Sequence, residues 1–210
     1  MKNSLWVNEI FDSIDGEGKT AGQLASFIRL KGCNLRCAYC DTTYAFHEGY
    51  LMEAETIASK VSYPDITITG GEPLCQDLHG LLELLQDHSI NIETNGSMDI
   101  TPYFRYAGVW FTIDYKSLSS GMSNHMLLHN FRCLRPQDVL KFVVGTKDDL
   151  EQARFVCDTY RPGCPVYVGA VFGAISPGEI VEFMKEYELT DWHLQLQLHK
   201  FIWAPEARGV

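Results

Sequence analysis

The sequence is poor in basic residues and has no long apolar run. Its 210 residues include 17 Lys and Arg against 27 Asp and Glu, which gives a formal net charge of −10. Because an acidic surface repels phosphate groups, this composition argues against a broad nucleic-acid-binding face. The longest mostly apolar stretch, residues 166–175, is far shorter than the roughly 20 residues of a membrane-spanning helix. We therefore expect neither nucleic acid nor membrane among the partners.

Targeting and low-complexity segments are also missing. The first residues contain no apolar stretch of the kind that a secretory signal peptide has, and no repeat or linker divides the chain. Apolar residues make up 46% of the chain, which excludes disorder. A chain of this length can bury roughly 70% of its unfolded surface. We expect a single domain over residues 1–210.

Seven cysteines are present, an odd number, and three of them lie between residues 33 and 40. Such clustering is typical of a metal or redox centre in a reducing compartment rather than of a secreted disulfide framework. The expected location is therefore cytoplasmic. The other four lack the spacing of cluster ligands and are predicted to be ordinary thiols: Cys75, Cys133, Cys157 and Cys164. A second cluster on Cys157 and Cys164 is the alternative.

Helix patterns alternate with strand patterns along the chain. Four leucines at helical spacing form one apolar stripe and predict a helix over residues 76–87: Leu78, Leu81, Leu82 and Leu85. Ser176 and Glu179 form a capping box around Pro177, which predicts a helix up to about residue 188. Further helices are expected over 52–61 and 149–160.

Seven segments have the composition of strands, and their alternation with helices indicates an α/β fold with a mostly parallel sheet, open or curled into a partial barrel. The predicted strands cover residues 25–30, 66–69, 91–94, 109–114, 139–144, 166–171 and 193–198. Polar or glycine-rich runs follow three of them, at Thr69–Pro73, Glu93–Gly96 and Asp114–Lys116. Ligands of such sheets bind at the carboxyl ends of the strands, so we expect the site at this rim.

A short loop after the first of these strands carries Cys33, Cys37 and Cys40 with the spacing C-x3-C-x2-C. Three thiolates on one loop can bind three irons of a cubane cluster and leave the fourth iron open to another ligand. A zinc site completed by Cys75 or His47 is an alternative, although no second C-x2-C pair exists. Three free thiols without metal are a further alternative.

Together with Tyr39 and with Gly70-Gly71-Glu72 at the end of the next strand, this loop resembles the radical S-adenosylmethionine (SAM) superfamily. The resemblance implies a compacted partial (β/α) barrel and a [4Fe–4S] cluster held by the three cysteines, with SAM on the fourth iron. Tyr39 matches the position that packs beside the adenine. Gly71 and Glu72 match the motif that meets the SAM amino group.

Further motifs along essentially the whole chain resemble one family, the 7-carboxy-7-deazaguanine synthases of the queuosine pathway. They are Glu9-Ile10-Phe11, Ile14–Gly18, Ser26–Arg29, Cys40-Asp41-Thr42, Ile68–Pro73, Glu93–Gly96, Ser119–Gly121 and Gln197–Lys200. One departure is Asp15, where the family usually has Gln. A carboxylate only accepts hydrogen bonds, whereas an amide also donates.

The family resemblance implies a radical ring contraction. A 5′-deoxyadenosyl radical from SAM takes hydrogen from C6 of 6-carboxy-5,6,7,8-tetrahydropterin, which becomes 7-carboxy-7-deazaguanine with loss of ammonia. Mg²⁺ on the substrate carboxylate, a homodimer and an external electron donor of the flavodoxin or ferredoxin type are implied as well. Side-chain acid–base catalysis contributes typically 10²–10⁴-fold, too little to break an unactivated C–H bond, so the cofactor must supply the radical.

Residue roles follow from the matched motifs. The expected SAM contacts are Tyr39, Cys40, Asp41, Gly71, Glu72, Asn95, Asp114, Tyr115 and Lys116. The expected substrate contacts are Ile14, Asp15, Gly16, Glu17, Arg29, Thr69, His199 and Val210. Thr42 offers a hydroxyl to Mg²⁺, a hard ion that prefers oxygen. No general acid or base is assigned, and Glu17 and His199 are the candidate proton carriers.

These roles make chemical sense, but each has a plainer alternative. Gly16 and Gly18 let backbone approach a flat ring, or they form an ordinary turn. Arg29 grips the substrate carboxylate, or it belongs to a surface ion pair. For Thr42 the alternative is a helix cap, and for Asp114 and Lys116 it is a solvated strand end. For His199 the alternative is a half-exposed strand that continues the alternation of Leu194, Leu196 and Leu198.

Two rival functions share the cysteine motif. An activating enzyme that installs a glycyl radical on a partner protein has the same C-x3-C-x2-C spacing, but it gives Arg29 and the Gly16–Gly18 segment no role. A non-catalytic iron–sulfur or zinc protein gives the polar strand ends no purpose. The ring-contracting enzyme is therefore the favoured hypothesis.

Overall fold

The computed structural model describes residues 4–204 and 207–210. Within them, nine strands form one sheet in the order β3-β1-β2-β4-β5-β6-β7-β8-β9. The strands are β1 (Ser4–Ile14), β2 (Leu24–Leu30), β3 (Tyr50–Glu53), β4 (Asp65–Gly70), β5 (Ser89–Thr94), β6 (Val109–Lys116), β7 (Val139–Val144), β8 (Val166–Ala170) and β9 (Trp192–Gln195). From β2 through β4 to β9 the neighbours run parallel, whereas β1 is antiparallel to both β2 and β3.

Six α-helices of the described residues follow or connect these strands: α1 (Ala54–Ala58), α2 (His79–Leu84), α3 (Leu128–Cys133), α4 (Lys147–Tyr160), α5 (Pro177–Glu186) and α6 (His199–Ile202). The capping box predicted at the start of α5 is confirmed, since Ser176 Oγ accepts from the Glu179 amide and Glu179 Oε2 accepts from the Ser176 amide. No described helix has both the length and the apolar content needed to cross a membrane.

The sheet has two faces of opposite character because successive residues of a strand point to opposite sides. On one face Ile68, Ile92 and Phe142 are fully buried and pack with the helices in the hydrophobic core. On the other face the neighbouring residues Thr69, Glu93 and Lys141 line a cavity. The edges β3 and β9 do not pair with each other, so the sheet forms an open, partial barrel with a polar interior.

The predicted fold class is confirmed, and so are most of the elements. β7 has the predicted bounds, and the other six predicted strands are present within a few residues. The prediction of a strand up to residue 198 is wrong, because β9 ends at Gln195 and the chain turns into α6 at His199. Consequently Leu196 is exposed and does not continue a strand face.

Two strands had no counterpart in the sequence prediction. β1 is eleven residues long, and its mixed apolar and polar residues show no clean alternation. β3 takes the first two residues of the helix predicted over 52–61, so that helix begins only at Ala54. Both strands lie on the antiparallel side of the sheet, where tertiary pairing overrides local propensity.

Candidate active site

A cavity of about 310 Å³ lies on the polar face of the sheet, toward the carboxyl ends of the parallel strands. It brings together eighteen of the predicted site residues: Ile14, Asp15, Gly16, Glu17, Arg29, Cys33, Cys37, Tyr39, Cys40, Asp41, Thr42, Thr69, Gly71, Asn95, Asp114, Lys116, His199 and Val210. Two predicted SAM contacts, Glu72 and Tyr115, do not line it. The residues predicted from the sequence thus lie around one cavity, although Ile14 and Val210 are 196 positions apart along the chain.

The cysteine loop docks backbone to backbone against the Gly-Gly-Glu segment. The Gly71 amide donates to Leu30 O over 3.0 Å, and the Glu72 amide donates to Gly32 O over 2.7 Å. A Cβ on Gly71 would lie 2.0 Å from Gly32 O, and one on Gly70 would lie 2.1 Å from Leu30 O. Only glycine permits this approach, which explains the Gly-Gly pair physically.

Glu72 organises the loops beneath the cavity. Its carboxylate is fully buried and accepts from the Asn95 amide at 2.7 Å, the Leu74 amide at 3.0 Å and Thr94 Oγ1 at 2.8 Å. Burial raises its pKa, although these hydrogen bonds oppose the shift. The side chain therefore ties the end of β4 to the end of β5, and a contact with SAM would have to come through its backbone.

The three cysteines are reduced and partly buried. Cys33 Sγ accepts from the Leu35 amide at 3.4 Å and from Asn95 Nδ2 at 3.8 Å. Burial raises the pKa of Cys37 and of Cys40, and the positive charge of Lys116 opposes the shift. The loop therefore favours neutral thiols until bound metal compensates the thiolate charge.

The three cysteine thiols fit an iron–sulfur cluster better than a single metal ion. Among residues 4–204 and 207–210, no group of three His, Cys, Asp or Glu side chains is arranged to hold one metal ion. A structural zinc site needs four ligands converging on one point, whereas in a [4Fe–4S] cluster each thiolate binds a different iron. The zinc alternative thus finds no support in the described residues.

Predicted SAM contacts surround the cysteines. Tyr39 donates to Val143 O over 3.2 Å, and burial raises its pKa. Lys116 Nζ donates to Asp114 Oδ2 over 2.8 Å, while Asp114 Oδ1 is buried without a hydrogen-bond partner in the described part of the chain. The side chain of Lys116 is only 14% exposed and that of Asp114 only 22%, so the two do not form a solvated strand end.

Tyr115 lies between Asp114 and Lys116 and therefore points to the opposite face. Its ring packs in the core, with its centroid 5.5 Å from that of Phe131 and 5.3 Å from that of Phe142. The expectation of a Tyr115 side-chain contact with SAM is wrong for this geometric reason. Its two neighbours in the motif remain in the cavity.

Arg29 lies on the cavity-lining face of β2. Its Nε donates to Glu9 Oε1 over 2.7 Å, and Tyr44 Oη donates to the same oxygen over 3.2 Å. The side chains of Arg29 and Glu9 are 17% and 23% exposed, so the pair is not a surface ion pair. Beside it, Phe11 and Phe27 stack with centroids 4.9 Å apart and form an aromatic wall of the cavity.

The segment Asp15–Gly18 closes the open side of the barrel between β1 and β9. The Leu198 amide donates to Gly16 O over 3.1 Å, and the Gly18 amide donates to Gln195 Oε1 over 2.7 Å. Gly18 has φ +74° and open space around it, as in a turn, and it does not line the cavity. Gly16 instead makes a close approach, because a Cβ there would lie 2.6 Å from His199 Nδ1.

Asp15 is the departure from the usual family residue, and its side chain holds this segment. Thr20 Oγ1 donates to Oδ2 over 2.6 Å, and Thr67 Oγ1 donates to Oδ1 over 3.1 Å. Asp15 is only 5% exposed, and burial raises its pKa despite both hydrogen bonds. Since each carboxylate oxygen already accepts a hydroxyl, Asp15 links the β1–β2 turn to β4.

Thr42 lies at the cavity beside Asp41. Its Oγ1 donates to Asp41 Oδ1 over 2.8 Å and makes no capping hydrogen bond to the 3₁₀ turn that follows, so the helix-cap alternative is not observed. Burial alone would raise the pKa of Asp41, but the bond from Thr42 and the charge of Lys200 lower it. The two side chains therefore present oxygen atoms suited to a hard cation.

Several ionisable residues that line the cavity had no predicted site role, among them Glu93 on β5 and Lys141 on β7. Glu93 belongs to the polar run that was expected at the rim, whereas Lys141 lies within a predicted strand. The available signal was the alternation of polar and apolar residues, as in Asn91-Ile92-Glu93, which is unusual for a parallel sheet covered on both faces. Cys75, Cys133, Cys157 and Cys164 do not line the cavity, and burial raises the pKa of Cys157 and of Cys164 to about 12.

An open, mostly parallel barrel with a polar interior and three thiols on the loop after its first parallel strand defines an iron–sulfur enzyme core. Residues 27–152 match the radical SAM superfamily. The chain is 42% identical over 219 aligned positions to 7-carboxy-7-deazaguanine synthase of Clostridium acetobutylicum, covering 97% of this chain and 98% of that protein. It is 38% identical over 221 positions to the same-named protein of Chlorobaculum tepidum, covering 98% and 97%.

A solved structure has the same fold. The crystal structure of QueE from Escherichia coli matches with a TM-score of 0.74, covering 91% of this chain and 92% of that one at 24% identity. At that identity the likeness shows the fold alone. With the sequence relatives, it follows that the chain belongs to the radical SAM superfamily and, within it, to the family of 7-carboxy-7-deazaguanine synthases.

Proposed function

We propose that this chain converts 6-carboxy-5,6,7,8-tetrahydropterin to 7-carboxy-7-deazaguanine and ammonia in the cavity described above. The observation that carries the proposal is the near-full-length match to proteins of that name, at up to 42% identity. The cavity supports it, because one space holds three thiols, Arg29 and an aromatic wall. An activating enzyme for a partner protein gives that wall and Arg29 no role.

Cys33, Cys37 and Cys40 would hold the [4Fe–4S] cluster, and SAM would occupy the remaining iron. When bound, this pair supplies the one-electron chemistry that removes a hydrogen atom from the substrate. The chain itself orients the reactants and excludes water. The proposed SAM contacts are Tyr39, Cys40, Asp41, Gly71, Asn95, Asp114 and Lys116, with Glu72 acting through its backbone. The unpaired Asp114 Oδ1 is an acceptor suited to a hydroxyl or amino group of SAM.

The pterin would lie against Phe11 and Phe27, with its carboxylate on Arg29. Because Glu9 accepts the hydrogen bond from Arg29 Nε, the other guanidinium N–H groups remain for a bidentate contact with the pterin carboxylate. Glu17 would accept from the amino edge of the ring. The remaining proposed substrate contacts are Ile14, Asp15, Gly16, Thr69, His199 and Val210.

Mg²⁺ would bind the substrate carboxylate and the hydroxyl of Thr42. Mg²⁺ takes few protein oxygens and keeps substrate oxygens and water, which agrees with one or two oxygen donors at this position. Glu17 and His199 remain the proposed proton carriers for ammonia loss. Burial lowers the pKa of His199, against the opposing charges of Glu17 and Asp41, so its imidazole is neutral and able to take a proton at pH 7.

Assembly and supply of electrons complete the proposal. We infer a single domain over residues 1–210, a homodimer, an electron donor of the flavodoxin or ferredoxin type and a cytoplasmic location. The continuous nine-stranded sheet supports the single domain. Light scattering in solution tests the dimer, and turnover with each purified donor in place of a chemical reductant tests the electron supply.

The direct test of function is anaerobic reconstitution with iron and sulfide, followed by SAM, Mg²⁺, reductant and the tetrahydropterin, read by mass spectrometry. We expect the deazaguanine product and ammonia from the wild-type protein and from Cys164→Ala, and no product from Cys40→Ala. Cleavage of SAM to 5′-deoxyadenosine with intact pterin would retain the radical chemistry and reject the substrate.

A further inference from the structure

Lys141 is a buried cation in the cavity to which neither the sequence motifs nor the reaction assigns a role. It lies in the middle of β7, is 8% exposed, and forms an ion pair through Nζ with Glu17 Oε2. The Glu17 side chain is 13% exposed in this pair. The contact joins positions 124 apart in sequence, across the interior of the barrel.

The surroundings of Lys141 are acidic. In the sheet register Lys141 lies directly beside Asp114 of β6, and Glu93 of β5 lines the same cavity. Burial alone would lower the pKa of Lys141, but the charges of Glu17, Asp114 and Glu93 raise it above its ordinary value. Lys141 therefore lies beside three carboxyl groups, although Asp114 also has Lys116 as a partner and burial raises the pKa of Glu93.

The backbone around Glu17 is fixed independently of Lys141. Gly16 O accepts from the Leu198 amide, and the Gly18 amide donates to Gln195 Oε1. The Glu17 carboxylate, by contrast, has Lys141 as its one ion-pair partner in the described part of the chain. Because the pair uses Oε2, Oε1 remains available as an acceptor.

We propose that Lys141 is a positioning residue that aims the Glu17 carboxylate at the amino edge of the pterin ring. The inference rests on the proposed function, since it presupposes a ring with donor groups at that edge. Without the ammonium group, Glu17 loses its ion pair and lies in one cavity with the carboxyl groups of Glu93 and Asp114. Its carboxylate then turns away from them and no longer offers the same acceptor to the ring.

The test measures binding of 6-carboxypterin, a stable fluorescent analogue, to the reconstituted enzyme with SAM present. We expect Lys141→Met to raise its Kd roughly 10- to 100-fold, the range for loss of a charge-assisted hydrogen bond, with the Kd for SAM unchanged. Lys141→Arg, which keeps the charge, should recover part of the affinity. Lys147→Met is the matched control, because it removes only the exposed ion pair between Lys147 of α4 and Glu186 of α5.

A double-mutant cycle separates positioning from general stabilisation. If Lys141 acts through Glu17, then Lys141→Met combined with Glu17→Gln binds the analogue no more weakly than Glu17→Gln alone. Losses that multiply in the double variant, or an equal loss of SAM affinity, overturn the proposal. If Lys141→Met does not fold, the pair Lys141→Arg and Glu17→Gln gives the same cycle. Failure of wild-type protein to bind the analogue or turn over the pterin rejects the proposed function instead.

Discussion

Arg29 and Glu9 form a partly buried pair in which one carboxylate oxygen fixes the orientation of the guanidinium group. Arg29 Nε donates to Glu9 Oε1 over 2.7 Å, and Tyr44 donates to the same oxygen over 3.2 Å. The pair joins β2 to β1 at directly opposed positions, Glu9 and Arg29. It follows that the remaining guanidinium donors are held in place before any ligand arrives, which lowers the cost of ordering the side chain on binding.

Replacing Arg29 should weaken binding of the pterin more than it lowers the rate at which the bound pterin reacts. Arg29→Lys keeps a positive charge but loses the planar fork, so we expect KM for the pterin to rise roughly 10- to 100-fold. Steady-state kinetics of product formation measures the change. Glu9→Gln keeps an acceptor for Nε and should stay close to wild type, whereas Glu9→Leu should resemble Arg29→Lys. An unchanged KM in Arg29→Lys would contradict the assigned contact.

Adding one methyl group at Gly16 should displace His199. The new Cβ would lie 2.6 Å from His199 Nδ1, closer than any real contact, so the ring or the Asp15–Gly18 segment must move. We expect turnover in Gly16→Ala to fall by at least about tenfold, the usual scale for a misplaced active-site group. Gly163→Ala is the control, because its Cβ meets nothing within 4 Å. Equal activities of the two variants would show that the close contact between Gly16 and His199 does not affect turnover.

The burial of Asp15 makes a prediction about stability. Asp15→Ala leaves the hydroxyl of Thr67 buried without its acceptor, and we expect the free energy of unfolding to fall by about 1–3 kcal/mol. Urea denaturation under anaerobic conditions measures it. Asp191→Ala, at an exposed loop position, should change it by less than about 0.5 kcal/mol. If Asp15→Ala is as stable as this control, Asp15 does not hold the turn.

His199 should make the stability of the protein depend on pH in one direction. Burial lowers its pKa below the ordinary 6.5, so below that pH the unfolded chain binds a proton that the native protein resists. The contribution of His199 to the free energy of unfolding therefore falls as the pH drops. We expect wild type to lose stability relative to His199→Gln between about pH 7.5 and 5.5, as measured by urea denaturation. A constant difference, or one of opposite sign, contradicts a lowered pKa.

Much of this site could be predicted because its chemistry lies in short motifs. The cysteine spacing, the Gly70-Gly71-Glu72 segment and Arg29 each point to the cavity, and β7 could be delimited to the residue. Gly70 and Gly71 are required because the backbone of another loop lies too close for a Cβ at either position. This reason becomes apparent only once the positions of both loops are known.

What could not be predicted depends on which way a side chain points. The prediction for Tyr115 was wrong and Lys141 was missed for the same reason. Both residues lie in parallel strands that have one apolar face and one face lining the cavity. A mostly apolar strand is normally taken as buried on both faces. β1 was missed because its eleven residues mix Phe11 and Ile14, which line the cavity, with the buried Leu5 and Val7, so no single period emerges.

The most direct test of the account is the electron paramagnetic resonance spectrum of the reduced, reconstituted protein before and after addition of SAM. Three cysteine ligands on a [4Fe–4S] cluster would leave one iron open within the cavity. We therefore expect SAM to shift the spectrum in the wild-type protein and in Cys157→Ala, and we expect no cluster signal from Cys37→Ala. A cluster spectrum that SAM leaves unchanged would contradict an open iron position, and with it the assignment of this cavity as a radical SAM site.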